Sequence, residues 1–331
     1  RGVIDREEEG FRETLRSGLT ILDTAIDGLK TGESLDGQVI FKLHDTYGFP
    51  LELTEEITRE RGISIDSQGF SEAMNEQKER AKAARKENGT ADISGDLRPL
   101  LEEHGLTSFI GREENKTEAE VLYIENNYVV LDRTPFYAES GGQIGDTGTL
   151  TNTRGAVRVI DTKLALDGLH VHETEDNELE IAVGDKLVVE IDVARRMDIR
   201  RNHTATHLLH SALRRVLGEH VKQQGSWVGP DRLRFDFSHY AAVQPEEIRE
   251  IEDMVNMEVL NNLPCNHYET SKEKAEAAGA IAFFGDKYGD SVRVLEAGPS
   301  SIELCGGTHV NALGDIGAFK IITEGSVGAN I

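Results

Sequence analysis

His203 and His207 stand four residues apart in RNHTATHLLH, so on a helix both imidazoles leave one face about one turn from each other. Far downstream, Cys305 and His309 repeat the four-residue interval across Gly306-Gly307 in LCGGTHV. Two imidazoles from a helix, with a thiolate and an imidazole from a glycine turn, form a tetrahedral ligand set suited to Zn2+. The glycines let the backbone fold tightly enough for Cys305 and His309 to converge on one ion. HxxxH alone is weak, because surface and core histidines recur at that spacing; the second motif carries the assignment. His210 lies on the same helical face and is either a rival ligand or a partly buried histidine. No glutamate follows His203, so the general base of the HExxH metalloproteases is missing. Cys265, the only other cysteine, sits in LPCNH and reads as a small buried hydrophobe.

Such a site needs a helix and a strand-borne turn to hold it. Ile199, His203, Thr206, His207, His210, Leu213 and Leu217 recur at three- and four-residue steps, which predicts an amphipathic helix over Arg195–Gly218. Strands are expected near Val221–Val228 and Leu233–Phe237, then a helix Pro245–Asn262, then strands near Val292–Leu295 and Ala318–Thr323. Residues 194–331 therefore read as α+β. Before them lie residues 97–193, in which the period changes from helical to alternating at about Thr117. Glu120–Ile124 and Tyr128–Leu131 flank an Asn126-Asn127 hairpin turn. Further strands near Ala156–Asp161, Leu169–Glu173 and Lys186–Val193 suggest a small β-barrel. Residues 1–96 read as all-α. Phe11, Leu15, Leu19, Leu22 and Ile26 mark a first helix ended by Gly28 and Gly32. After the breakers Gly48 and Pro50, a second helix is expected to start at Thr54, and a third spans about Phe70–Lys86. ENGTADISGD, 87–96, is the expected linker. The whole is a multidomain chain with an all-α region, a small β-barrel and an α+β core.

The 331 residues are 38% hydrophobic and 29% charged, and no apolar run approaches membrane-spanning length. Two cysteines offer no disulfide framework, which suits a reducing cytoplasm. The chain lacks an initiator methionine or leader at Arg1 and stops at Ile331 in an apparent strand or turn, as if cut from something longer. A net charge of −24 argues against a generic nucleic-acid binder. Yet Arg195, Arg196, Arg200, Arg201, Arg214 and Arg215 come in pairs along the site helix. They form either a solvated face or a restricted patch for RNA.

HDTYGFPLELTEEI, LDRTPFYAESGGQIGDTG, RNHTATHLLHSALR, LRFDFSH, ELCGGTHV and TEGSVGANI occur in that order along nearly the whole chain. In these motifs the sequence resembles the alanyl-tRNA synthetase family. Freestanding editing proteins share the GGQ, HxxxH and CxxxH elements, and the editing domain of threonyl-tRNA synthetases shares the two metal motifs. The DTYGFP region favours the full synthetase. The resemblance implies the end of a tRNA-recognition region followed by an editing domain. The adenylation part, with its ATP and Mg2+, would precede Arg1, and an oligomerising C-terminal part would follow Ile331.

An alanine pocket cannot exclude glycine sterically, and an apolar pocket rejects an added hydroxyl by only on the order of 10². The family's remedy is hydrolysis of Ser-tRNA(Ala) and Gly-tRNA(Ala) at a second site, so the implied partners are the tRNA(Ala) acceptor stem and its mischarged 3′ end. Ester hydrolysis needs a positioned water and a place for the oxyanion. By resemblance Thr206 and Gln223 match editing positions; a hydroxyl and an amide can orient water or read serine without changing charge. Thr134 and Gln143, in RTPFYAESGGQ, are further candidates for reading the serine hydroxyl, with Gly141-Gly142 allowing close backbone approach. The alternatives are a back-bonded helix threonine, an exposed strand glutamine and a plain tight turn. Asp45 resembles the family acid that reads the acceptor-stem G·U pair, or else is a helix-cap aspartate. Arg200 and Arg201 are the candidate tRNA contacts on the site helix.

Overall fold

The structure is a computed structural model and describes residues 2–86, 96–166, 168–175, 180–281 and 291–326. The expected linker therefore lies, at 87–95, outside the described residues. The chain divides into two compact units, Arg1–Asn88 and Gly89–Ile331.

In the first unit α1 (Gly2–Ile26) is followed by β1 (Ser34–Leu35), α2 (Gly37–Phe41), a π-helical turn Lys42–Thr46, α3 (Leu51–Glu60), β2 (Ser64–Ile65) and α4 (Ser67–Lys86). Leu22, Ile26, Leu35, Ile40, Leu43, Phe49 and Ile63 form its core. The expected stripe on α1 is displaced at one position, because Leu19 is 40% exposed. Gly18 is buried instead: a Cβ there would lie 2.1 Å from Phe49 Cδ2, so the missing side chain admits the ring against the helix. The side chain of Phe11 lies outside the described residues. α3 starts directly after Pro50, not at Thr54, since proline's fixed φ of −60° suits helix entry. Thr54 is buried inside the helix, its hydroxyl 3.4 Å from Pro50 O. The region is not wholly α: β1 and β2 pair in parallel over two residues, too short to leave a period in the sequence.

The second unit opens with α5 (Arg98–His104), β3 (Ser108–Phe109), β4 (Lys116–Glu125), β5 (Tyr128–Leu131), β6 (Arg133–Thr134), β7 (Gly148–Asn152), β8 (Gly155–Leu166), β9 (Leu169–Thr174) and β10 (Lys186–Ile191). Six of these strands close into a barrel in the order β10-β4-β5-β9-β8-β7. Its pleat is legible in β10, where Leu187, Val189 and Ile191 are buried and Lys186 and Glu190 are exposed. Asn126 takes φ 53° at the tip of the β4–β5 hairpin.

Next come α6 (Val193–Leu217), β11 (Gln223–Val228), β12 (Leu233–Phe237), α7 (Pro245–Asn261), β13 (Cys265–Ser271), α8 (Lys272–Ala277), β14 (Ser291–Ala297) and β15 (Ser301–Leu304). β13, β14 and β15 form an antiparallel sheet. α6 and α7 pack through Leu208, Leu209, Ala212, Leu213, Ile251 and Val255, and Cys265 is buried in the same cluster. No strand forms at Ala318–Thr323. Side chains of α7 satisfy that backbone instead: Phe319 N donates to Asn256 Oδ1 at 2.9 Å and Ile321 N to Glu252 Oε1 at 2.7 Å. Among the described residues no helix is long and apolar enough to cross a membrane.

The first turn of α6 is tied to the β6–β7 connection. Asp192 caps it by accepting from Arg195 N at 3.0 Å. Arg196, expected to be a surface charge, is 1% exposed. It pairs with buried Asp146 and donates to Gly111 O at 2.6 Å and Pro135 O at 2.9 Å. Tyr137 N donates to the same carboxylate at 2.7 Å. A guanidinium so completely partnered is tolerable in a core; half of the pair is not. Arg196→Ala should therefore lower the unfolding free energy by about 3–5 kcal/mol. Arg154→Ala, which breaks an exposed pair with Asp185, should cost at most about 1 kcal/mol. Urea titrations of the two variants followed by near-UV circular dichroism test the contrast.

Candidate metal centre

α6 carries His203 and His207 on its buried face, and β15 leads directly into Cys305, Gly306, Gly307, Thr308 and His309. The ligand atoms of His203, His207, Cys305 and His309 all lie within 4.8 Å of one another. The two motifs therefore meet, as one ion would require.

What lies behind each imidazole fixes how it faces the centre. Thr308 N donates to Gln143 Oε1 at 2.9 Å, which identifies that atom as the amide oxygen. His203 Nδ1 is 2.8 Å from the same oxygen and so donates to it, which turns Nε2 toward Cys305 Sγ at 3.5 Å. Thr204 Oγ1 gives its proton to Arg200 O at 2.9 Å and accepts from Val310 N at 3.2 Å. His309 Nδ1, at 3.3 Å, must then donate to it, and His309 Nε2 faces Cys305 Sγ at 3.3 Å. His207 Nδ1 is bonded to Glu303, a buried carboxylate. All three Nδ1 atoms are thus held by oxygen acceptors, the bracing from behind that supports metal-bound histidines. Burial alone would lower His207, but Glu303 and Cys305 together raise it to about 10, so metal binding there would displace a proton.

The electrostatics agree with a cation site. Burial alone would raise the Cys305 thiol, but the imidazoles of His203, His309 and His207 outweigh it and hold the group well below its ordinary value. Burial pushes His309 down to about 3, against the pull of Cys305. Glu303 is ionised despite its burial, because His207 and His210 both press on it. His210 is accordingly no member of the ligand group: its Nδ1 lies 2.8 Å from Glu303 Oε1, behind His207.

The glycines matter unequally. A Cβ on Gly307 would lie 2.2 Å from His203 Cε1 and 2.9 Å from Gln143 Oε1, whereas Gly306 has open space. Neither has a positive φ, so close approach, not a left-handed turn, is what Gly307 provides. Gly141 and Gly142 do need their left-handed φ of 58° and 83°. They close a turn in which Ser140 and Gln143 exchange backbone hydrogen bonds of 3.1 and 3.0 Å, and Val228 N donates to Gly142 O at 2.8 Å. That turn drives Gln143, fully buried, into the space behind His203.

The other sequence candidates lie outside the four-residue ligand group. Thr206 is buried and back-bonded to Asn202 O at 2.8 Å. Gln223 is half-buried on β11 and donates to Ser226 Oγ at 3.2 Å. Thr134 is engaged inside the barrel unit, with His172 Nε2 at 2.7 Å and Phe136 N at 3.1 Å. Arg201 donates to Asp315 O at 3.0 Å and Asp198 at 2.5 Å, and Arg200 to Arg112 O at 3.2 Å. In the first unit, Asp45 is exposed in the π-helical turn and accepts from Gln77 Nε2 at 3.1 Å, so it caps no helix. Sequence reasoning missed Glu303, Thr204 and Thr308. Glu303 stands two residues before Cys305, but only burial beside His207 and His210 reveals its part.

Glu303→Gln should weaken metal affinity about 10–100-fold by removing the charge behind His207. Gly307→Ala should displace His203 and cause a comparable or larger loss. Competition titrations against a chromophoric chelator measure both, with Gly306→Ala as the near-neutral comparison.

Residues 1–195 match the model of the class II (A) tRNA synthetases, and residues 292–331 match that of the threonyl and alanyl tRNA synthetase second additional domain. The alanine–tRNA ligase of Magnetococcus marinus is 45% identical over 343 residues, covering 99% of this chain and 39% of the relative. That of Acetivibrio thermocellus is 45% identical over 344 residues, and that of Paraburkholderia phymatum 47% over 348, with the same coverages. The chain spans about 39% of the length of these relatives. With its motifs, its family-model matches and these relatives in accord, the chain belongs to the alanyl-tRNA synthetase family.

Proposed function

We propose that this chain serves an enzyme joining alanine to tRNA(Ala), and that its second unit removes wrongly attached serine or glycine at a zinc-bearing editing site. The observation that carries the reading is the convergence of Cys305 Sγ and the three imidazoles, each imidazole braced from behind by an oxygen acceptor. The donor set, one thiolate and three nitrogens at tetrahedral number, fits zinc. Bound there, zinc would supply positive charge near the ester and the oxyanion that develops from it. His203, His207, Cys305 and His309 would hold it.

The remaining groups bind and orient. Gln223, half-buried on β11 and bonded to Ser226, the residue that packs against Gly142, would position water or read the serine hydroxyl through its amide. Thr206, Thr134 and Gln143 would act from behind: their polar atoms are occupied, so they fix the helix, the barrel wall and His203. In the first unit Asp45, exposed and ionisable, would accept from a guanine amino group in the acceptor-stem minor groove. Arg200 and Arg201 would face the tRNA from α6. On this reading ATP, Mg2+ and alanine activation would fall to a separate adenylation region and oligomerisation to a further one. The enzyme would act in the cytoplasm, a reducing compartment that suits two cysteines without a disulfide framework.

A second reading has its own support: four protein ligands normally mark a closed, structural zinc. On that reading the chain binds tRNA(Ala) without hydrolysing it. Incubating the zinc-loaded chain with Ser-tRNA(Ala) and Ala-tRNA(Ala), with and without chelator, separates the two. Editing requires cleavage of the seryl ester alone, lost with the metal; binding without turnover supports the structural zinc. Cobalt substitution adds a check on Cys305, whose charge-transfer band should stay at tetrahedral intensity when a seryl analogue is added. Asp45→Ala should weaken binding to G·U-bearing tRNA(Ala) and leave cleavage of bound ester intact; an equal loss on tRNA lacking the wobble pair counts against its role.

A further inference from the structure

Three guanidinium groups gather on the outside of the metal-site turn. Arg112 Nη2 donates to Gly306 O at 3.3 Å, and Arg293 Nη1 to Cys305 O at 3.1 Å and Gly307 O at 2.9 Å. Arg200 joins them by donating to Arg112 O at 3.2 Å. Arg112 is exposed, and its guanidinium lies over the Phe109 ring, 5.2 Å from the centroid. The charges act at one place: His267, exposed on β13, is lowered by partial desolvation and then by Arg293, Arg112 and Arg200 together.

Among the described residues none of the three forms an ion pair within 4.0 Å, although Glu269 faces Arg293 across the β13–β14 ladder. Elsewhere in the same unit Arg133, Arg154, Arg158 and Arg249 all have carboxylate partners. Acids outnumber bases 60 to 36 in the chain, so arginines clustered with no carboxylate within ion-pair distance among the described residues run against its composition. Like charges packed together are costly unless an anion shares the site. A guanidinium offers five N–H donors in a fork that matches phosphate oxygens, and stacking on Phe109 holds the fork in place before any ligand arrives.

We propose that Arg112 and Arg293 bind a backbone phosphodiester of single-stranded RNA beside the metal centre, holding the strand's 3′ end over Cys305–Gly307. The inference rests on the editing reading for its choice of ligand and deepens it by assigning the contact that anchors the last nucleotides. Neither arginine stands in a motif that points to RNA. Their meeting depends on β14 and the β3–β4 connection reaching one turn.

The test uses the zinc-loaded chain and a fluorescent 5′-ACCA-3′ RNA without an ester, titrated by anisotropy at several salt concentrations. Arg112→Ala should weaken binding about tenfold near 0.1 M salt and reduce the slope of log affinity against log salt by about 0.7, with zinc content unchanged. Arg112→Lys should restore the slope and only part of the affinity, because it keeps the charge and loses the fork. Arg249→Ala, on the exposed face of α7, is the control expected to change neither. No binding by the unaltered chain, an unchanged Arg112→Ala, an equal loss in Arg249→Ala, or a loss that tracks loss of zinc would each overturn the proposal. Because the oligonucleotide carries nothing to hydrolyse, failure of seryl-ester cleavage alone rejects the editing reading without deciding this one.

Discussion

The centre is governed by the oxygen acceptor behind each imidazole. A histidine has two chemically distinct nitrogens, and which one ligates depends on what the other is bonded to. Here Gln143, Glu303 and Thr204 claim Nδ1 of His203, His207 and His309 in turn, so that every Nε2 is aimed at the same small volume as Cys305 Sγ. Each acceptor is itself fixed. Thr308 N holds the Gln143 amide the right way round, His210 shares the Glu303 carboxylate, and Arg200 O takes the Thr204 proton. Buried polar groups cost stability when left half-satisfied, so the network either closes completely or distorts the ligands.

That requirement explains why a barrel and an α+β layer share one unit. The barrel's contribution to the centre is a single side chain, Gln143, delivered by a turn that only two left-handed glycines can make. The α+β layer contributes Glu303 and the Cys305–His309 turn from the end of β15. α6 lies between them and must be fixed against both. The Arg196–Asp146 pair does this on the barrel side, and packing of Leu208, Leu209, Ala212 and Leu213 does it on the side of α7. Loss of either would move His203 and His207 relative to partners far away in sequence.

The acidic surface and the proposed chemistry are compatible once charge is considered locally. The overall charge repels RNA, and not every arginine of α6 offsets it: Arg196 is buried against Asp146, and Arg201 shares its charge with Asp198. Positive charge is concentrated instead at the rim of the metal-site turn, close to where an ester would have to lie. A strand would then be held near its end and kept off most of the surface, which suits a site that inspects only the terminal nucleotide.

Much was legible in the sequence alone. Spacing within HxxxH and CGGTH put two ligands on a helical face and two on one turn, because helix pitch and a short loop are local geometry. Alternation in 97–193 announced the barrel strands, and the asparagine pair announced their first hairpin. Only the tertiary structure could decide the rest. Whether His210 ligates or supports, which glycine is indispensable, and that Arg196 is core all depend on residues tens of positions distant. Leu19 yields its place to Gly18 because a ring from Phe49 needs the space, and Ala318–Thr323 is no strand because α7 satisfies its backbone first. Periodicity records which face of an element is apolar. The burial and the hydrogen-bond partner that decide the chemistry of a polar side chain are set by the segments that arrive from elsewhere in the chain.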